Sequence, residues 1–123
     1  RDGSVVSWQP GGEEHAVPES VKDVVQLSAG AGNCLALTGS GEVLSWGKTG
    51  QLRLVPEDLG KCIAVRAGDR LSAARKTDGS WVAWGSGDTG LIDKIASLGP
   101  VTDLAFTSRE DASYVLWIEP ELE

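Results

Sequence analysis

The 123-residue chain contains no methionine, one histidine, one phenylalanine, one tyrosine and two cysteines. Each scarcity excludes something. A single imidazole, His15, leaves little for acid–base or metal chemistry, which draws on several such groups held together. Cys34 and Cys62 lack the Cys-x-x-Cys spacing of zinc and redox sites, and two cysteines are too few to frame a disulfide scaffold, so both are expected as core thiols. No run nears the roughly 18 to 20 apolar residues that a membrane-spanning helix needs. Lys and Arg number 11 against 18 Asp and Glu, a net charge of -7, and the basic residues are scattered. That balance sets the chain against nucleic-acid backbones and anionic membranes. There is no Gly-x-Ser-x-Gly elbow and no phosphate-binding glycine loop. No catalytic residue, metal, cofactor or small-molecule substrate is expected. Without methionine, the chain reads as a processed product or a piece of something longer, so the lack of a leader says nothing of its compartment.

What is present is distinctive. There are 16 glycines, and five of the seven aromatics are tryptophan. Hydrophobic residues make up 41% and charged residues 24%, as in packed globular chains. The order of these residues repeats. Gly41-Glu-Val-Leu-Ser-Trp46 aligns with Gly3-Ser-Val-Val-Ser-Trp8 and with Gly79-Ser-Trp-Val-Ala-Trp84, at two steps of 38 residues. The same offset relates Val17-Pro18 to Val55-Pro56, and Val25-x-Leu27-x-Ala29-Gly30 to Ile63-x-Val65-x-Ala67-Gly68. A weaker third copy, shifted by one residue, runs from Leu98 to Leu104 and loses the Ala-Gly pair.

Each unit reads as short strands separated by turns. Residues 24–29 and 63–67 are apolar at alternate positions, and 35–37 and 43–46 are short apolar runs. Asp2-Gly3, Ser40-Gly41 and Asp78-Gly79 mark the hairpin between the second and third strands, where a two-residue turn would use glycine's positive φ. Trp8, Trp46 and Trp84 recur at one phase and are expected to pack between units. Trp81 makes its strand apolar on both faces, as for a blade covered on both sides. Ala29-Gly30 and Ala67-Gly68 close the first strand, where a radial arrangement is most crowded. A single unit of this size cannot bury its own faces, so stability has to come from neighbours. The pattern predicts an all-β chain of β-propeller blades, residues 1–123 forming one domain, with full repeats at 24–46 and 62–84 and a degenerate one at 101–118.

Residues 24–30, Cys34-Leu35-Ala36-Leu37-Thr38, Gly41 to Gly47, Gly50-Gln51 and Val55-Pro56 resemble one full repeat of the regulator-of-chromosome-condensation family. The short unit is more similar to the bacterial branch that includes propeller inhibitors of β-lactamase. The resemblance implies four-stranded blades, usually seven, that present loops to other macromolecules. There are departures. Asn33 and Leu71 stand where the family usually has histidine, and the Trp-Gly-x-Asn stretch has become Trp46-Gly47-Lys48-Thr49 and Trp84-Gly85-Ser86-Gly87.

Residues 113–118 form an apparent second strand with no third strand after it, while residues 1–8 supply a third strand at the other end. The count is then about three blades per chain, against the about four to eight that close a ring. Two copies would supply about six, each N-terminal strand completing the C-terminal blade of the other chain. The competing expectation is a longer chain that supplies the remaining blades.

The expected function is a non-enzymatic protein-interaction module or scaffold that self-associates, and the alternative is an inhibitor that plugs an enzyme with its inter-blade loops. Loops on a rigid ring are where recognition is placed. The stretches 9–16, 48–53 and 86–91 carry Glu13, Glu14, Lys48, Gln51, Arg53 and Asp88, a charged and polar rim suited to a protein partner. His15 beside Glu13 and Glu14 is expected to be solvated. Trp81 and Trp117 break the repeat and are candidates for an interface, with core as the competing place.

Overall fold

A computed structural model describes residues 5, 7–8, 14–15, 17–18, 21–30, 33–47, 52–68, 70–85, 89–108 and 113–118. The strands follow the repeat. A short pair, β1 (Ser7–Trp8) and β2 (Glu14–His15), comes first. The first full blade is a four-stranded antiparallel sheet of β3 (Val24–Ala29), β4 (Cys34–Thr38), β5 (Val43–Trp46) and β6 (Leu52–Arg53) in sequence order. The second has three strands, β7 (Cys62–Ala67), β8 (Leu71–Lys76) and β9 (Trp81–Gly85). A helix, α1 (Thr89–Ser97), follows it, and a last pair, β10 (Asp103–Ser108) and β11 (Ser113–Ile118), closes the described chain.

Up-and-down order with short connections is the blade pattern. The described blades do not close a ring. By repeat phase β1 and β2 correspond to the outer strands β5 and β6. By register β10 and β11 correspond to the inner strands β7 and β8, with Ala105 opposite Leu116 as Arg66 is opposite Ala73 and Ser28 opposite Leu35. The described residues therefore hold two blades between two complementary half-blades.

The hairpins differ from the expected two-residue form. Thr38 N–H donates to Glu42 O at 2.9 Å and Lys76 N–H to Ser80 O at 2.8 Å, which leaves three residues in each loop. Gly41 and Gly79 take the third place at φ of 90° and 91°. Such a turn ends on a residue with positive φ, which glycine adopts without steric cost.

Packing alternates between sheets. Leu35, Leu37 and Val43 of one blade meet Leu59, Cys62, Val65 and Ala74 of the next in one core. Leu71, Ala73 and Trp81 meet Leu91, Ile95, Val101 and Leu104 in a second. Val21, Ala36 and Trp46 form a third, against which Val5 and Val17 pack. The middle strands β4, β5 and β8 thus bury both sides of their pleat, one toward each neighbouring sheet.

Two expectations about the connections are corrected. The stretch after Asp88 begins a helix at Thr89 rather than a loop: Leu91 and Ile95 lie one turn apart and are both buried in the second core. Glu14, His15, Leu52 and Arg53 also lie in strands rather than loops, because each short segment pairs with the strand before it and adds an outer rung to its sheet.

Candidate interaction surface

The seams between blades are built from polar side chains that meet the edge of the next inner strand. Gln26 Oε1 accepts from Val65 N–H at 2.7 Å, and Ser28 Oγ accepts from Ala67 N–H at 2.8 Å. Asn33 Nδ2 donates to Ser72 Oγ at 2.7 Å and to Leu71 O at 3.4 Å. Arg66 Nη2 pairs with Asp103 Oδ1 at 2.6 Å across the following seam. The Gln26 and Ser28 contacts satisfy N–H groups that the inner edge strand β7 would otherwise leave open. The seam contacts together also fix the register of each blade on its neighbour.

Glycine makes the close approach possible. A Cβ on Gly30 would overlap the carbonyl of Gly68, and a Cβ on Gly68 would overlap the ring of Phe106. In the third unit, where the Ala-Gly pair is lost, Phe106 brings its ring onto the preceding blade's glycine.

The sequence-predicted site residues divide by place. Glu13, Lys48, Gln51, Asp88 and Gly3 lie outside the described residues. Glu14 and Arg53 are in β2 and β6, and Trp8 is in β1. Trp46 is 3% exposed in the third core, and Trp84 packs against the first. Trp81 is 3% exposed, and its indole Nε1 donates to Val101 O at 3.0 Å, so it is buried between the second blade and the last strand pair. Trp117 is half-buried, with Lys94 Nζ 5.2 Å from its ring centroid. Cys34 and Cys62 are both thiols. Burial pushes the Cys62 thiol up, with Lys76 drawing it the other way to a smaller degree. Among the described residues no three His, Cys, Asp or Glu side chains come together.

What residue-by-residue reading missed is the pair of open faces. At one end Val25 and Leu27 of β3 are exposed; at the other, Leu116 and Ile118 of β11 are exposed. Beside the latter lies a cleft of about 220 Å³ lined by Arg66, Asp103, Leu104, Ala105, Leu116, Trp117 and Ile118. Exposed apolar patches of this kind mark interaction surfaces. The signal was in the repeat: Leu27 aligns with Val65, which is fully buried.

Blade-like sheets in sequence order, packed face to face through repeat-related seams, define a β-propeller architecture. Within it, residues 24–51 match the family model of the regulator of chromosome condensation (RCC1) repeat. A sequence search of curated proteins finds none that matches. Human WBSCR16 is similar in structure, with TM-score 0.56 and 16% identity over 76% of this chain and 32% of that one. The ectodomain of the receptor kinase CR4 from Physcomitrella patens gives TM-score 0.50 and 16% identity over 76% and 29% of the two chains. Yeast RCC1 (Prp20), solved with Kap60 bound, gives TM-score 0.49 and 15% identity over 80% and 33%. The chain spans 33% or less of the length of these structures. The matched repeat and the blade architecture support an RCC1-type repeat propeller.

Proposed function

We propose that this chain is a non-enzymatic protein-interaction module whose propeller ring is completed by self-association. The observation that carries the reading is the pair of uncovered apolar faces, Leu27 at one end and Leu116 and Ile118 at the other. Two copies would bring about six blades together, within the range of closed propellers. The rim offered to a further protein is then the inter-blade stretches that carry Glu13, Lys48, Gln51 and Asp88 in the sequence, with Glu14 and Arg53 on the outer strands beside them. Mixed charges and few aromatics suit a polar, salt-sensitive contact. The test is absolute mass by light scattering over a tenfold dilution series. A constant mass near twice 12.9 kDa is expected; a mass near that of one chain throughout overturns self-association.

A further inference from the structure

Resting on that reading, we infer that the ring closes head to tail: the β10–β11 half-blade of one copy adds to the β1–β2 half-blade of a second, Leu116 and Ile118 covering the second copy's Leu27. Repeat-equivalent positions carry the argument. Leu27 is 53% exposed, while Val65, its counterpart one unit on, is fully buried against the preceding blade. Leu116 is 69% exposed, while its counterparts Leu35 and Ala73 are both fully buried against the blade that follows. The same fold position is thus core inside the arc and open at its ends. The missing cover at each end is a blade face of the type the other end displays.

The strand inventory gives the same occupant. Val5 and Val17, which flank the outer pair β1–β2, pack against the third core with Ala36 and Trp46, while Leu27 of the inner strand β3 stays uncovered. An inner pair is what that half-blade lacks. The described residues contain one inner pair without outer strands, β10–β11. In β4–β5 the register places Leu35 opposite Ser45 and Leu37 opposite Val43. Transferred across the seam by the repeat, it places Leu116 opposite Ser7 and Ile118 opposite Val5 of the second copy. Helix α1 packs with Val115 and Trp117, which alternate with Leu116 and Ile118 along β11, so it covers the other face of that strand. A two-fold dimer has two identical seams of this kind, which buries the exposed strand edge at both.

The test uses the full chain. Leu27→Cys and Leu116→Cys variants are purified separately, mixed, allowed to exchange and oxidised. A disulfide-linked dimer that forms in the mixture and in neither variant alone is expected, since the seam joins position 27 of one copy to position 116 of the other. If the mass in solution is that of two chains and the mixture forms no such link, this seam is wrong while self-association stands. If the mass is that of one chain, the underlying reading fails and the seam with it. Leu116→Asp provides a second readout. Because Leu116 is exposed within its own chain, the substitution is expected to leave the far-ultraviolet circular dichroism unchanged and to shift the mass to one chain. A folded Leu116→Asp chain that still runs as a dimer overturns the seam.

Discussion

Gly30 shows how one atom sets the spacing of two blades. Its backbone N–H donates to Asn33 O at 2.9 Å, and its missing Cβ is what lets the Gly68 carbonyl approach. Gly30→Ala is expected to cost about 1 to 3 kcal/mol, the range for forcing extra volume into a tight site, read as a lower urea midpoint at unchanged slope. Asn33 sits beside it, 5% exposed, with its amide nitrogen satisfied across the seam and its Oδ1 without a partner among the described residues. The residue that departs from the family pattern thus still bridges two blades. Cys62 gives a pH dependence whose sign is fixed by burial. Its thiol is raised in the folded chain from the unfolded value of 9.0. The contribution is therefore complete below pH 9.0 and is lost as pH rises through the higher folded value, because the unfolded chain ionises first. Urea midpoints measured along an alkaline series are expected to fall less steeply for Cys62→Ala than for the wild-type chain.

Among the elements, α1 is the one that the strand-and-turn pattern passed over. Its apolar residues Leu91, Ile92 and Ile95, with Leu98 just beyond its end, have helical spacing, but the period-38 alignment reads across them because the preceding unit has a strand and loop there. Ile95 is fully buried between the second blade and the last strand pair. Ile95→Ala is expected to destabilise by about 2 to 5 kcal/mol, measured by chemical denaturation, since a packed interior relaxes only partly around a lost side chain. The inner strands carry a different lesson. Alternation along β3 marks one face as apolar and the other as polar, yet Gln26 and Ser28 on the polar face are hydrogen-bonded to β7 across the seam. A polar residue at a strand position reads as solvent-facing until the next blade is placed beside it. The Arg66–Asp103 pair is similar in position but half-exposed at 29% and 42%, and such pairs contribute about 0 to 1 kcal/mol.

At the scale of the whole molecule, stability is shared between neighbours, as in other repeat proteins. Faces left open at the two ends lose that share, so the thermal midpoint is expected to rise with protein concentration for the wild-type chain and to be independent of it for Leu116→Asp. The sequence by itself determined the repeat, the order of the longer strands, the hairpins at Gly41 and Gly79 and the packing of Trp46 and Trp84, because each follows from local spacing and from glycine at fixed turns. Only the tertiary structure decided that Trp81 is buried within the chain, that β2 and β6 are strands, that α1 fills the second seam, and which apolar residues stay open. Those outcomes depend on what lies across a seam from each residue, and a neighbour some 38 positions away leaves no mark on the local pattern of either strand.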